Sequence, residues 1–302
     1  MKPVLFSCFV LASFFSFSQA GSEIYLFDLR FVNGQPVLSN GINITSHKGY
    51  DNQPFFHPSQ PLIYYSSFND SARSDIKYYN YETKETKNFT TTHEREYSPT
   101  VTPDEKYISC VIQRDNGAQD LAKFPVNGGR PEVLVWHLKV GYHTWLGPNK
   151  VFLYVLDDSI HNSLHNYDVS TNMDTVIAEN IGRSLHPIPM EQALSYVQRV
   201  AGKQNVIKRY VLSTAVSSPI VNTLPGQDFF CWIQSSAGSD VKRFLLSSDG
   251  ARILCHDDNS FIEFKDKTWQ PVVIEGTTTM LKGVTRMAAN ANYTKLAVVV
   301  NE

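Results

Sequence analysis

Thr102-Pro103-Asp104-Glu105, followed at once by Tyr107-Ile108-Ser109-Cys110-Val111-Ile112, is the stretch that decides the fold. A polar turn marked by proline hands the chain to a short apolar run, which reads as one strand folding back on the next. The same phrase recurs at His57-Pro58-Ser59-Gln60, Gly147-Pro148-Asn149-Lys150, Ile188-Pro189-Met190-Glu191, Ser236-Ala237-Gly238-Ser239 and Asn290-Ala291-Asn292-Tyr293. Successive turns stand about 41 to 54 residues apart, the length of a four-stranded propeller blade. The expected fold is therefore all-β, a six-bladed β-propeller of four-stranded antiparallel blades.

Working outward from that turn, the strands fall into place. The second unit runs from Pro54-Phe55-Phe56 through Leu62-Ile63-Tyr64-Tyr65 and Ile76 to Tyr81, ending at Thr86 to Thr90. The third spans Ser98 to Val135. The fourth uses Val151 to Leu156 and Leu164 to Asp168, the fifth Leu194 to Val197, Val206 to Val211 and Pro219 to Leu224. The sixth, Asp228 to Glu275, is the least regular. Glu23 to Leu29 and Gln35 to Thr45 make only half a blade, and Gly283 to Ala288 with Lys295 to Val300 make the other half. N- and C-terminal strands are thus expected to share one blade, closing the ring so that no sheet edge is left unpaired. A sandwich or a seven-bladed ring fits the repeat count less well.

Composition bounds the compartment and the partners. The 302 residues are 42% hydrophobic, 12% aromatic and 19% charged, enough apolar surface for a large single core. Residues 1–20 read as a signal peptide: Lys2, an uncharged run from Val4 to Phe17, and small residues at Ser18 and Ala20. Cleavage near Ala20 leaves a propeller of residues 21–302, periplasmic or secreted, with no transmembrane segment in the mature chain. Lys plus Arg then falls from 27 to 26 against 29 Asp plus Glu, a net charge of −3. That is no footprint for nucleic acid, which demands a basic surface. Cys110, Cys231 and Cys255 remain, an odd number; a Cys231 to Cys255 bond is one option and buried thiols are the other.

The innermost strand of each blade lines the central channel, so equivalent positions meet around one opening. Five residues before the Pro or Ala of each turn stand Gln53, Ser98, His143, Ser184 and Arg286, with Asp228 taken as the member from the irregular sixth unit. Tyr50, Asp51, Glu96, Tyr142, Arg183 and His186 widen this polar ring. Arg183 and Arg286 suit a carboxylate or phosphate, but an internal acid such as Asp228 or Glu96 serves as well, and a purely structural lining with ordered water is the plainer alternative. No metal or cofactor is expected: His161 and His165 lack a third ligand, and His93-Glu94-Arg95-Glu96-Tyr97 lacks the second histidine of a zincin helix. Gly182-Arg183-Ser184-Leu185-His186 begins like a nucleophile elbow but ends in His.

The Pro-Asp-Glu and Pro-Asn-Lys turns, with strands like Ile76 to Tyr81 after them, resemble the WD-like repeats of the TolB-type β-propeller family over nearly all of residues 22–302. Segments such as Gly141-Tyr142-His143-Thr144-Trp145 are similar to those of bacterial envelope proteins built from a leader and a propeller alone. The resemblance implies the fold and an envelope compartment, and the absence of any complete catalytic set makes the expectation a noncatalytic binding or scaffold propeller, engaging an envelope protein, a peptide or a small polar ligand through its channel mouth and loops. The competing expectation is an enzyme, a lyase or hydrolase on a polar glycan or peptide, with His143 carrying a proton and Arg183 and Arg286 holding an anion.

Overall fold

The computed structural model describes residues 21–46, 48–69, 73–157, 161–235, 241–258, 268–276 and 281–302. The expected leader and the turn at Ser236 to Ser239 lie outside them. Six sheets radiate around one axis. Blade two comprises β3 (Asp51–Phe56), β4 (Leu62–Phe68), β5 (Ser74–Asn80) and β6 (Glu85–Asn88). Blade three follows with β7 (Arg95–Val101), β8 (Tyr107–Gln113), β9 (Gln119–Pro125) and β10 (Glu132–Val135). Blade four holds β11 (Val140–Trp145), β12 (Lys150–Val155), β13 (Ser163–Asp168) and β14 (Met173–Glu179). Blade five holds β15 (Ile181–Pro187), β16 (Ala193–Gln198), β17 (Val206–Val211) and β18 (Val216–Asn222). Blade six is the short one, with β19 (Cys231–Gln234), β20 (Arg243–Ser248), β21 (Ile253–Asp257) and β22 (Gln270–Pro271).

Blade one closes the ring. It joins β24 (Val284–Ala289) and β25 (Lys295–Asn301) to β1 (Ser22–Val32) and β2 (Gln35–Asn43), in the order β24, β25, β1, β2. The two ends of the chain lie antiparallel over seven consecutive pairs, from Ser22 opposite Asn301 to Asp28 opposite Lys295. A two-residue strand, β23 (Val273–Ile274), adds parallel to the outside of β2, so blade six contributes a fifth strand to blade one.

Burial explains why the second strands read as unbroken apolar runs. Every blade is packed between two others, and its second strand is covered on both faces: Ile108 to Ile112, Val151 to Val155 and Leu296 to Val300 are buried throughout. The core is accordingly distributed between blades, with Tyr64 and Ile76 of blade two against Ile108, Cys110 and Ala122 of blade three, then Val111 and Leu121 against Val151 and Leu153. Fully burying one such side chain contributes roughly 1.5–3 kcal/mol. The outer strand of blade two is polar instead; Glu85-Thr86-Lys87-Asn88 is wholly exposed, which blunts the edge against pairing with another chain.

Cys110, Cys231 and Cys255 are buried free thiols. Leu246 of β20 pairs with Cys231 on one side and Cys255 on the other, so a whole strand separates the two sulfurs. Two strand spacings, about 10 Å, exceed what a disulfide spans.

Candidate functional site

Register breaks aim side chains into the channel. Every inner strand except β19 carries one: between Asn52 and Phe55, Tyr97 and Thr100, Val140 and Tyr142, Ile181 and Leu185, and Val284 and Arg286. Gln53 and Ser98 sit at the breaks with φ of 59° and 55°, in left-handed backbone. Gln53 uses its Oε1 to accept the Ser98 amide at 2.7 Å and the Ser66 hydroxyl at 2.9 Å. Ser184 Oγ accepts the Phe230 amide at 3.2 Å. Both side chains thus satisfy the backbone of the following blade.

Counting from the turn proline misses the inward position in blade four. The turns of blades two, three, five and one close with His57 N–H to Leu62 O, Thr102 to Tyr107, Ile188 to Ala193 and Asn290 to Lys295; blade four closes one residue sooner, Leu146 N–H to Lys150 O. Four residues before the closing amide stand Gln53, Ser98, Ser184 and Arg286, and in blade four this is Tyr142 rather than His143. In blade six the closing amide is that of Ser235, whose partner is Lys242 O, and the same count reaches Cys231 rather than Asp228.

Tyr142 and Arg286 come from opposite blades and meet across the axis. An Arg286 Nη donates to Tyr142 Oη at 2.8 Å, and its guanidinium lies 4.7 Å from the centre of the Tyr142 ring. Arg183 stands beside the same phenol, near Asp228 and Tyr154, and these neighbours favour its charged form. Tyr50 borders the cluster; burial pushes its phenol up, against the pull of Arg286 and Arg183. Tyr142, Arg183, Phe229 and Arg286 line both cavities of the channel, so they form its constriction.

The two chambers differ in chemistry. The one toward the proline-marked turns has a volume of about 350 Å³ and an apolar wall including Pro54, Phe55, Phe229, Phe230, Trp232 and Met287. The one at the start of the inner strands, about 520 Å³, is walled mainly by polar groups, Ser22, Asn52, Gln227, Asp228, Thr285 and Asn301, with Tyr50, Phe229 and Val284 beside them. Asp228 is ion-paired with Arg199. Among the described residues lining either chamber, two guanidiniums therefore face one carboxylate that already has a partner.

The histidines are held neutral. His143 is 7% exposed and burial lowers it to about 3. Its Nε2 lies 2.8 Å from Ser109 Oγ, which also contacts Thr100 O at 3.0 Å and Trp145 Nε1 at 2.8 Å. The carbonyl takes the single hydroxyl proton and the indole donates, so His143 donates from Nε2 and Nδ1 carries a lone pair. Burial likewise lowers His186 to about 4, with its ring 5.0 Å from Phe230.

Glu96 does not line either chamber. Its carboxylate accepts from Thr90 Oγ1 at 3.2 Å and from Thr92 Oγ1, within the connection entering β7, and burial followed by nearby Asp75 pushes it up to about 7. The sequence places Glu96 at the start of the inner strand, but the break between Tyr97 and Thr100 lies after it and leaves it facing blade two. His161 and His165 also part: His161 meets Asn180, His165 meets Asp174 and Ser163. No group of three or more His, Cys, Asp and Glu among the described residues is arranged to hold a metal ion. Sequence reasoning missed the apolar wall, for which the signal was present: Phe55, Phe229 and Trp232 flank the inward positions one or two residues away.

This arrangement defines a TolB-like six-bladed propeller. No protein-family model and no curated protein matches the chain by sequence. Among solved structures, the putative TolB of Agrobacterium tumefaciens superposes with a TM-score of 0.67 at 13% identity, covering 94% of this chain and 99% of that one. TolB of Acinetobacter baumannii gives 0.56 at 12%, over 93% of this chain and 64% of the other. An oligogalacturonate lyase in complex with manganese gives 0.55 at 12%, over 89% and 83%. These likenesses share a fold across two kinds of protein, so function has to be argued from the channel.

Proposed function

We propose that the protein is a noncatalytic binding propeller of the cell envelope, whose channel mouth engages an acidic group on a protein or peptide partner. One observation carries the reading: Arg183 and Arg286 converge on Tyr142 at the constriction, and the only carboxylate among the described lining residues is already paired with Arg199. A guanidinium fork suits a carboxylate in two parallel hydrogen bonds. The envelope location rests on the leader-like residues 1–20.

The catalytic alternative gains the lyase among the fold neighbours but loses its proton carrier. A general base works best with a pKa near the operating pH, and His143, lowered to about 3, is a weak one. Glu96, raised to about 7, stands away from the channel. The test compares partner recovery from an envelope extract by the wild type and by an Arg183→Ala, Arg286→Ala double variant. Loss of one or more partners in the variant supports the reading; equal recovery of every partner overturns it. Turnover of an oligogalacturonate by the wild type, abolished in the variant, decides for the enzyme.

A further inference from the structure

Both chambers meet at the same two guanidiniums, yet the wall of the chamber toward the turns is the more apolar, Phe229 being common to both. A ligand that places its carboxylate on Arg183 and Arg286 is thereby sorted by what is attached to it. Seated toward the inner-strand starts, its body faces Asn52, Gln227, Thr285 and a carboxylate. Toward the turns it faces proline, phenylalanine and tryptophan. Desolvating an aromatic or aliphatic body favours the second pose, and a volume of about 350 Å³ lies in the range of pockets for small ligands or one large side chain.

We infer that the turn-side chamber takes a carboxylate bearing an aromatic or aliphatic body, the chemistry of a chain ending in an apolar residue or tyrosine or of a free aryl or alkyl acid. This rests on the anion reading of Arg183 and Arg286 and adds the side chain that the chamber selects.

The experiment is calorimetric titration of residues 21–302 with N-acetyltyrosine, N-acetylphenylalanine, N-acetylglycine and N-acetyltyrosine amide, and with a decapeptide ending in a free tyrosine. N-acetyltyrosine and N-acetylphenylalanine are each expected to bind at least tenfold tighter than N-acetylglycine and the amide. Binding of the decapeptide as well identifies a chain terminus as the source; binding of the small acid alone identifies a free metabolite. Equal binding of N-acetylglycine and N-acetyltyrosine overturns the inference and leaves the anion reading standing. Equal binding of the amide, or no binding by any probe, overturns both.

Discussion

The closing blade and the channel constriction both join residues remote in sequence, and they do so by opposite chemistry. Seven consecutive backbone pairs and the buried Ile24, Leu26, Phe27, Ala297, Val298 and Val299 hold the two ends of the chain together. At the constriction a single phenol stands between two guanidiniums. Backbone pairing is indifferent to which apolar side chain sits where, provided the alternation is kept, whereas an Arg-Tyr-Arg contact depends on three particular side chains. The first kind of feature serves stability, and the second is the one on which the proposed binding depends.

The most severe way to break this comparison is to delete Lys295 to Glu302. That removes β25 from between β24 and β1 and leaves Leu26 and Phe27 without their opposite residues. The deleted chain is expected to lose cooperative thermal unfolding altogether; a sharp transition at the wild-type temperature would show that the ring does not depend on closure.

Glu96 sharpens the comparison, because it is buried like the closing strands yet polar like the constriction. Desolvation raises it to about 7 from 4.5, so the folded chain keeps a proton that the unfolded chain releases. The sign follows: its contribution is fully present below about pH 4.5 and is lost as pH rises through about 7, a difference of roughly 3 kcal/mol from the size of the shift. Chemical denaturation at pH 5 and pH 8 should find that wild type loses stability relative to Glu96→Gln by about that amount. Parallel behaviour of the two proteins would mean that Glu96 ionises as freely folded as unfolded.

A smaller effect is expected between blades. Trp232 Nε1 donates to Ser195 Oγ at 2.8 Å, and Ser195 in turn donates to His186 O. Ser195→Ala strands a buried indole N–H, which costs about 1–3 kcal/mol. Urea unfolding should report that loss with an unchanged slope; no loss would indicate that water takes the place of the hydroxyl.

How much was legible in the sequence follows the same division. The six units, their turns and the shared terminal blade came from periodicity, because a second strand covered on both faces has to be apolar and a turn has to be polar. Arg183, Ser184 and Arg286 line the turn-side chamber, on strands that the repeat count takes as innermost. The count lands on His143 with Tyr142 as its neighbour, one residue off, because the blade-four turn is one residue shorter, a difference that turn prolines do not record and a hydrogen bond does. Glu96 was drawn inward because a register break cannot be seen in a one-dimensional pattern. Blade six defeated the count since β19 has no register break of its own, unlike the other inner strands, and its inward position falls on apolar Cys231.

The finest test lies at the constriction itself. Arg286 is half-buried, and its contacts are one hydrogen bond and one ring face from Tyr142, with Tyr50 and His186 nearby. A guanidinium in such a site is costly to keep away from water, so removing it forfeits an attraction and relieves a desolvation in nearly equal measure. Arg286→Ala is therefore expected to change stability by less than about 1 kcal/mol, in contrast to the loss of β25. Thermal unfolding checks it directly. A large destabilisation would mean that Arg286 braces the ring as the closing strands do, and would place the constriction with the structural elements; a small one leaves binding as the reason two cations stand together in the channel.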